Sequence, residues 1–226
     1  MVKKLFIHYQ DENYVVVEKP SGILVHPFKA ESNDRITLLS LLRDQISQYV
    51  YPIHRLDRPV SGPVVFGLQS EAVSKIQKIW HSDKVEKKYQ ALVKGKFIEK
   101  GEFSFALKNE NQVEQNARTK YSPIQSFYLA DLESDFTYVD IDIFTGRKHQ
   151  IRRHFSRRCS NIVCDTKYGR GKINHYFRDH FSVDRIFLHC SQLNLVNPFT
   201  NQAINVKSDL PNSLSNCLKM LEKASK

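Results

Sequence analysis

The residues best placed to do chemistry form one short run, His54-Arg55-Leu56-Asp57-Arg58-Pro59-Val60-Ser61-Gly62-Pro63. Pro52, Pro59, Pro63 and Gly62 stiffen it and deny it a helix, so Asp57 sits on a rigid loop. Opposite charge on His54, Arg55 and Arg58 favours the ionised carboxylate, which suits a nucleophile or a general base. The bland alternative is a turn-capping aspartate in an ordinary ion-pair network. A second run, Thr145-Gly146-Arg147-Lys148-His149-Gln150-Ile151-Arg152-Arg153-His154-Phe155, reads as the start of a basic helix. There Ile151 and Phe155 share a face at i,i+4, and Arg152 lies at its edge, half-buried. A half-buried guanidinium needs an anion, which Asp57 or a phosphate could supply. Arg157 and Arg158 read instead as a solvated basic face.

No metal site or nucleotide cofactor is expected. His149/His154 and His175/His180 are each five apart, whereas a helical zinc pair is spaced i,i+4 around a glutamate. The chain has neither a phosphate-binding G-x-x-x-x-G-K-[ST] run nor a dinucleotide G-x-G-x-x-G run. The chemistry is expected to run on side chains alone.

The elements that must hold these residues follow from periodicity. Leu5–Tyr9 and Tyr14–Glu18 flank Asp11-Glu12-Asn13 as a hairpin, Lys19–Gly22 is a turn, and Ile23–His26 reads as a short strand. Leu38, Leu41, Leu42 and Ile46 place an amphipathic helix over Thr37–Tyr49. Pro63–Gln69 is a buried strand, and Ser70 is expected to N-cap the helix carrying Ala72, Val73, Ile76, Ile79 and Trp80. Strands are then expected over Lys87–Val93, Phe103–Leu107, Thr119–Asp131, Phe136–Phe144, Arg185–Val196 and Ala203–Val206. A basic helix is expected over Arg147–Arg158 and a closing helix over Leu210–Ala224. Neighbouring strands read as hairpins rather than β-α-β units, which predicts an α+β fold on a largely antiparallel sheet, in one domain.

Composition adds a partner class. Against 24 acidic residues stand 34 Lys and Arg, a formal charge of +10. Such an excess favours a polyanion, RNA or DNA, over a membrane surface. Cys159, Cys164, Cys190 and Cys217 have no disulfide or zinc-finger spacing, and no run approaches the roughly 18 apolar residues of a membrane span. A signal-peptide core is lacking as well, so a cytoplasmic protein is expected.

Taken together, seven segments in order resemble the RluA-type RNA pseudouridine synthases: Val17–Gly22, His54–Gly62, Lys87–Ala91, Ala117–Tyr121, Thr145–His154, Asp165–Gly169 and Leu188-His189. The forms HRLDRPxSG and TGRKHQIRRH are most similar to the TruC-like branch, which acts on uridine 65 of tRNA. Val60 replaces the usual Thr, and Cys164 the usual Gly before the Asp. The resemblance implies a single catalytic domain without a separate S4-type RNA-binding domain. Its fold would be a bent, largely antiparallel mixed sheet flanked by helices, with the catalytic cleft across the sheet. It makes Asp57 the nucleophile and Tyr89 the tyrosine that packs on the target base and takes the C5 proton. Arg152 becomes the partner of Asp57, Arg55 the filler of the gap left by the flipped nucleotide, and Leu188 an apolar pocket wall. His54, Arg58, Arg147, Lys148 and His149 join them as RNA contacts. A monomer acting on tRNA without cofactor is implied. The same chemistry on large-subunit ribosomal RNA, a non-catalytic RNA-binding module and a base-excising hydrolase remain alternatives.

Overall fold

The computed structural model describes residues 4–27 and 36–225. In chain order its elements begin with β1 (Ile7–Gln10), β2 (Tyr14–Lys19), α1 (Leu38–Ile46), β3 (Tyr51–Pro52), β4 (Gly62–Gly67) and α2 (Ser70–Ile79). Next come β5 (Val85–Lys94), β6 (Gly101–Phe103), β7 (Leu107–Lys108), β8 (Glu114–Gln115), β9 (Thr119–Leu129) and β10 (Ser134–Ile143). The chain closes with α3 (Gln150–Arg157), α4 (Gly171–Phe181), β11 (Leu188–Val196), β12 (Ala203–Lys207) and α5 (Asn212–Ala224). The ladders β1–β2, β2–β4, β3–β4, β5–β10, β9–β10, β6–β9, β7–β8 and β11–β12 are antiparallel, in keeping with the α+β expectation.

The chain divides into two compact units, Met1–Glu86 with Cys190–Ser208, and Lys87–His189 with Asp209–Lys226. It therefore passes from the first to the second within β5 and returns within β11.

In the first unit the strand order is β1-β2-β4-β3. The Asp11 carboxylate shapes the first hairpin by accepting from the Asn13 and Tyr14 amides at 2.7 and 2.6 Å. Because β2 lies between β1 and β4, Tyr14, Val15, Val16 and Val17 are all buried. Tyr14, Val16, Val65, Ala72, Ile76, Val85, Leu193, Leu195, Ile204 and Val206 form one core cluster. Each such aliphatic side chain contributes about 1.5–3 kcal/mol through burial. Helix α1 opens on a capping box between Thr37 and Ser40 and stops at Ser47, which turns left-handed at φ 53°.

In the second unit β5, β10, β9 and β6 lie side by side in that order. Tyr121 of β9, Phe97 and Phe103 surround Phe155 of α3 with ring centroids 5.0–5.9 Å apart. Helix α4 has no counterpart among the expected elements. It buries Phe177 and Phe181, which meet at 5.1 Å, and Phe177 also meets Phe136 at 5.0 Å.

Several boundaries differ from expectation. Ile23–His26 forms only an isolated bridge, Leu24 to Thr37, instead of a strand. Ser70 is the first residue of α2 rather than its cap, and Gln69, the cap, offers no side-chain bond. Phe103–Leu107 divides between β6 and β7. No helix among the described residues is long and apolar enough to cross a membrane.

Candidate active site

The first unit holds Asp57 on a loop braced through its main chain. Lys19, fully buried, donates from Nζ to Pro20 O at 2.8 Å and to Arg58 O at 3.1 Å. The Gly22 amide also donates to Arg58 O, at 2.9 Å, and Ser21 Oγ donates to Pro59 O at 2.7 Å. Val60 N–H closes a turn on Asp57 O at 3.0 Å, and Cys190 N–H donates to Ser61 O at 2.8 Å. At Gly62, with φ +131°, a Cβ would stand 2.4 Å from Cys190 O, so only glycine allows β11 to approach this closely. Loop carbonyls are thus held by donors from the Lys19–Gly22 turn and from β11, while Asp57 itself stays half-buried.

Two of the cations expected beside Asp57 have structural work. Arg58 donates from Nε to Gly22 O at 2.8 Å, returning the bond that Gly22 makes to it. His54 Nε2 accepts the Val65 amide at 3.2 Å and its ring lies 4.7 Å from Trp80. That nitrogen carries a lone pair, so the expectation of a positive His54 is corrected: a backbone amide has claimed the position a proton would take. Arg55 is exposed.

In the second unit Arg152 is buried, not half-buried, with 5% of its side chain accessible. The anion it was expected to need includes one that sequence reasoning missed. Nε and Nη2 grip Asp165 Oδ2 and Oδ1, both at 2.8 Å, in a bidentate pair whose carboxylate is wholly buried. Asp165 Oδ1 also accepts the Lys167 and Tyr168 amides at 2.9 and 3.1 Å. Burial pushes the Asp165 carboxyl up, but the hydrogen bonds and charge of Arg152 and the two amides outweigh it and hold the group below its ordinary value. The Tyr168 ring lies 5.2 Å from the Arg152 guanidinium, and its hydroxyl meets His149 Nδ1 at 3.0 Å. A Cβ at Gly169 would fall 2.2 Å from Asp165 O, so the loop can wrap this closely only around glycine. The segment Asp165–Gly169 stood in the sequence as a motif, but nothing in its spacing names Arg152 as its partner.

Arg147, Lys148, Gln150, His154 and Arg157 fasten the segment 105–118. Arg147 donates from Nε to Asn116 O at 3.0 Å, Lys148 pairs with Glu110, and Gln150 donates to Arg118 O at 3.0 Å. Arg157, expected to be merely solvated, donates to Ala106 O at 3.1 Å and lies over Phe105. His154 is fully buried. Its Nε2 faces Phe105 O, and its Nδ1 faces a Thr119 hydroxyl that already accepts from Gln150. The ring is therefore neutral with the proton on Nε2, and burial lowers its pKa to about 4. Tyr89, opposite Ile141 in the β5–β10 ladder, and Leu188, at the start of β11, are both buried.

This fold is that of pseudouridylate synthase domains. Human RNA Pseudouridylate Synthase Domain Containing 1 superposes with a TM-score of 0.76 at 22% identity, over 96% of this chain and 89% of its own. Human RNA Pseudouridylate Synthase Domain Containing 4 gives 0.73 at 22%, over 96% and 93%. Residues 13–157 match the family described as RNA pseudouridylate synthase, and the chain belongs to that family. It is an RNA pseudouridine synthase, an isomerase. Among its relatives are two proteins named tRNA pseudouridine synthase C. That of Vibrio parahaemolyticus is 38% identical over 92% of this chain and 91% of its own. That of Vibrio vulnificus is 37% identical over 91% of each.

Proposed function

We propose that this enzyme converts one uridine of tRNA, uridine 65, to pseudouridine, as a cytoplasmic monomer whose whole chain serves as one catalytic domain. The observation that supports the tRNA reading most is the end-to-end alignment with relatives of that printed name, at 37–38% identity. The loop at 54–62 supports the role of Asp57, since a reacting carboxylate gains from a main chain that cannot drift.

In this reading the uridine leaves the stack to be reached, and Arg55 fills the gap it leaves. Tyr89 supplies an aromatic face for the uracil. Asp57 acts on the sugar, by attack or by removing a sugar proton to give a glycal. The N1–C1′ bond breaks, the uracil turns, and C5–C1′ forms. Tyr89 takes the C5 proton, and N1 ends protonated, so nothing is oxidised or hydrolysed. Arg152 serves as the charged partner of Asp57, and Leu188 as an apolar wall for the base. His54 and Arg58 position the loop, while Arg147, Lys148 and His149 serve RNA contacts.

The test is a map of pseudouridine across total RNA from cells with and without the gene. A single tRNA position should revert to uridine. Loss confined to large-subunit ribosomal RNA would move the substrate, and an unchanged map would overturn the reading.

A further inference from the structure

Three lysines of the first unit gather at a hollow that none of the residues 54–62 lines. Lys75 and Lys78 come from α2 and Lys84 from the turn before β5, and they line a cavity of about 270 Å³. Asn201 joins them from the β11–β12 turn, with apolar Ile79 and Val196 between. No carboxylate is among the lining residues. Val196 N–H donates to Lys84 O at 3.1 Å, which ties two of the walls together.

Ammonium groups brought to one hollow repel each other unless an anion joins them. Lys75 is already steadied, by Glu71 one turn back at 3.2 Å and by the Phe199 ring at 3.9 Å. Among the described residues neither Lys78 nor Lys84 forms an ion pair, and both are exposed. A lysine near a helix C-terminus is favoured by the helix dipole, which accounts for Lys78. It does not account for Lys84, which lies outside the helix. At about 270 Å³ the cavity has room for a phosphate group. Lysine binds phosphate as a point charge and reads no base edge.

We propose that this hollow is an accessory site for a backbone phosphate of the RNA substrate, gripping the polymer through Lys78 and Lys84 irrespective of sequence. The inference rests on the reading of the chain as an enzyme that acts on RNA. Each phosphate neutralised releases condensed counterions and adds about 0.7–0.9 to the slope of log affinity against log salt.

The test measures Kd for unmodified tRNA transcripts between about 50 and 300 mM salt, with Lys78→Gln/Lys84→Gln against Lys219→Gln/Lys223→Gln. The second pair removes the same charge from exposed positions of α5. The first variant should bind at least about fivefold more weakly at low salt, with a slope shallower by about 0.7 to 0.9, the share of one phosphate. The α5 variant should remain near wild type. Equal losses in both would mean that net charge alone matters, and an unchanged slope in the first would mean that no phosphate sits there; either overturns the proposal. Pseudouridine formation by the wild-type protein is scored on the same transcripts. Its absence would fail the functional reading while the binding slopes still judge the site.

Discussion

The loop around Asp57 and the surroundings of Arg152 are both held firmly, by opposite means. Around Asp57 the restraint is in the main chain: prolines, and carbonyls that accept from Lys19, Ser21, Gly22 and Cys190. Around Arg152 the restraint is the side chain itself, a buried guanidinium locked to a buried carboxylate. A loop held by its backbone can lose a side chain and keep its shape. A site held by a charge pair loses shape and stability together, because the abandoned partner is left charged in a dry place.

The sharpest break of that contrast is Asp57→Asn. Isomerisation should fall by at least about a thousandfold, since a reacting group is lost, while the melting temperature stays within about 2 °C of wild type. Turnover within tenfold of wild type would remove Asp57 from its role. Arg152→Lys should also cut turnover, by at least about a hundredfold. Unlike Asp57→Asn it should cost about 1–3 kcal/mol of stability in urea titrations, because one ammonium cannot replace the fork on Asp165. Arg153→Lys, turned roughly 100° around α3, is the control and should resemble wild type. Asp165→Ala should lower stability by about 3–5 kcal/mol, the effect of leaving a buried guanidinium without its carboxylate. A loss under 1 kcal/mol would mean that the pair is not what holds this region.

Buried His154 gives the contrast a pH dependence. The unfolded ring, near its ordinary 6.5, takes up a proton where the folded ring, at about 4, does not. Its contribution is therefore complete above pH 6.5 and is lost as pH falls toward 4, by roughly 3 kcal/mol at 1.36 kcal/mol per unit. Chemical denaturation at pH 7 and 4.5 should show wild type losing its advantage over His154→Gln. An advantage that stays constant would contradict the neutral, buried ring.

The smallest effect concerns Cys164, which takes a left-handed backbone (φ 58°) with its side chain buried and its Sγ 3.2 Å from Val183 O. Glycine relieves a strain of about 1 kcal/mol but leaves a small void, whereas alanine keeps the strain and leaves nearly the same void. Cys164→Gly should therefore be more stable than Cys164→Ala by about 0.5–1 kcal/mol, the reverse of their usual order at buried sites. The familiar order, with alanine ahead, would show that the backbone there relaxes.

How much of this could be read in advance follows the same division. Proline and glycine act locally, so the rigid loop at 54–62 was legible in the residues, as were the β1–β2 hairpin and the buried strand β4. The Arg152–Asp165 pair joins α3 to a loop thirteen positions further on, and no local rule links them. His54 was expected as a cation because its sequence neighbours are charged, yet its ring turns to Val65 and Trp80, distant in sequence. Helix α4 escaped because Gly171 opens it and His175, Arg178 and His180 dilute the spacing of Phe177 and Phe181. Ser70 misled by one residue, since a serine can as easily begin a helix as cap it.

The crossing of the chain between its two units has a consequence for synthesis. Leu193, Leu195, Ile204 and Val206 complete a core begun by Tyr14 and Val16, and Ser208 Oγ donates to Glu18 across 190 positions. At roughly 5–20 residues per second, β2 emerges some ten to forty seconds before those strands exist. During that interval its buried valines have no complete core to enter, and the loop carrying Asp57 lacks the Cys190 amide that secures Ser61. Strand β2 is thus made long before the strands that complete its surroundings. Nascent chains halted before residue 190 should expose a hydrophobic strand to chaperones, and release of the final stretch should close the first unit at once.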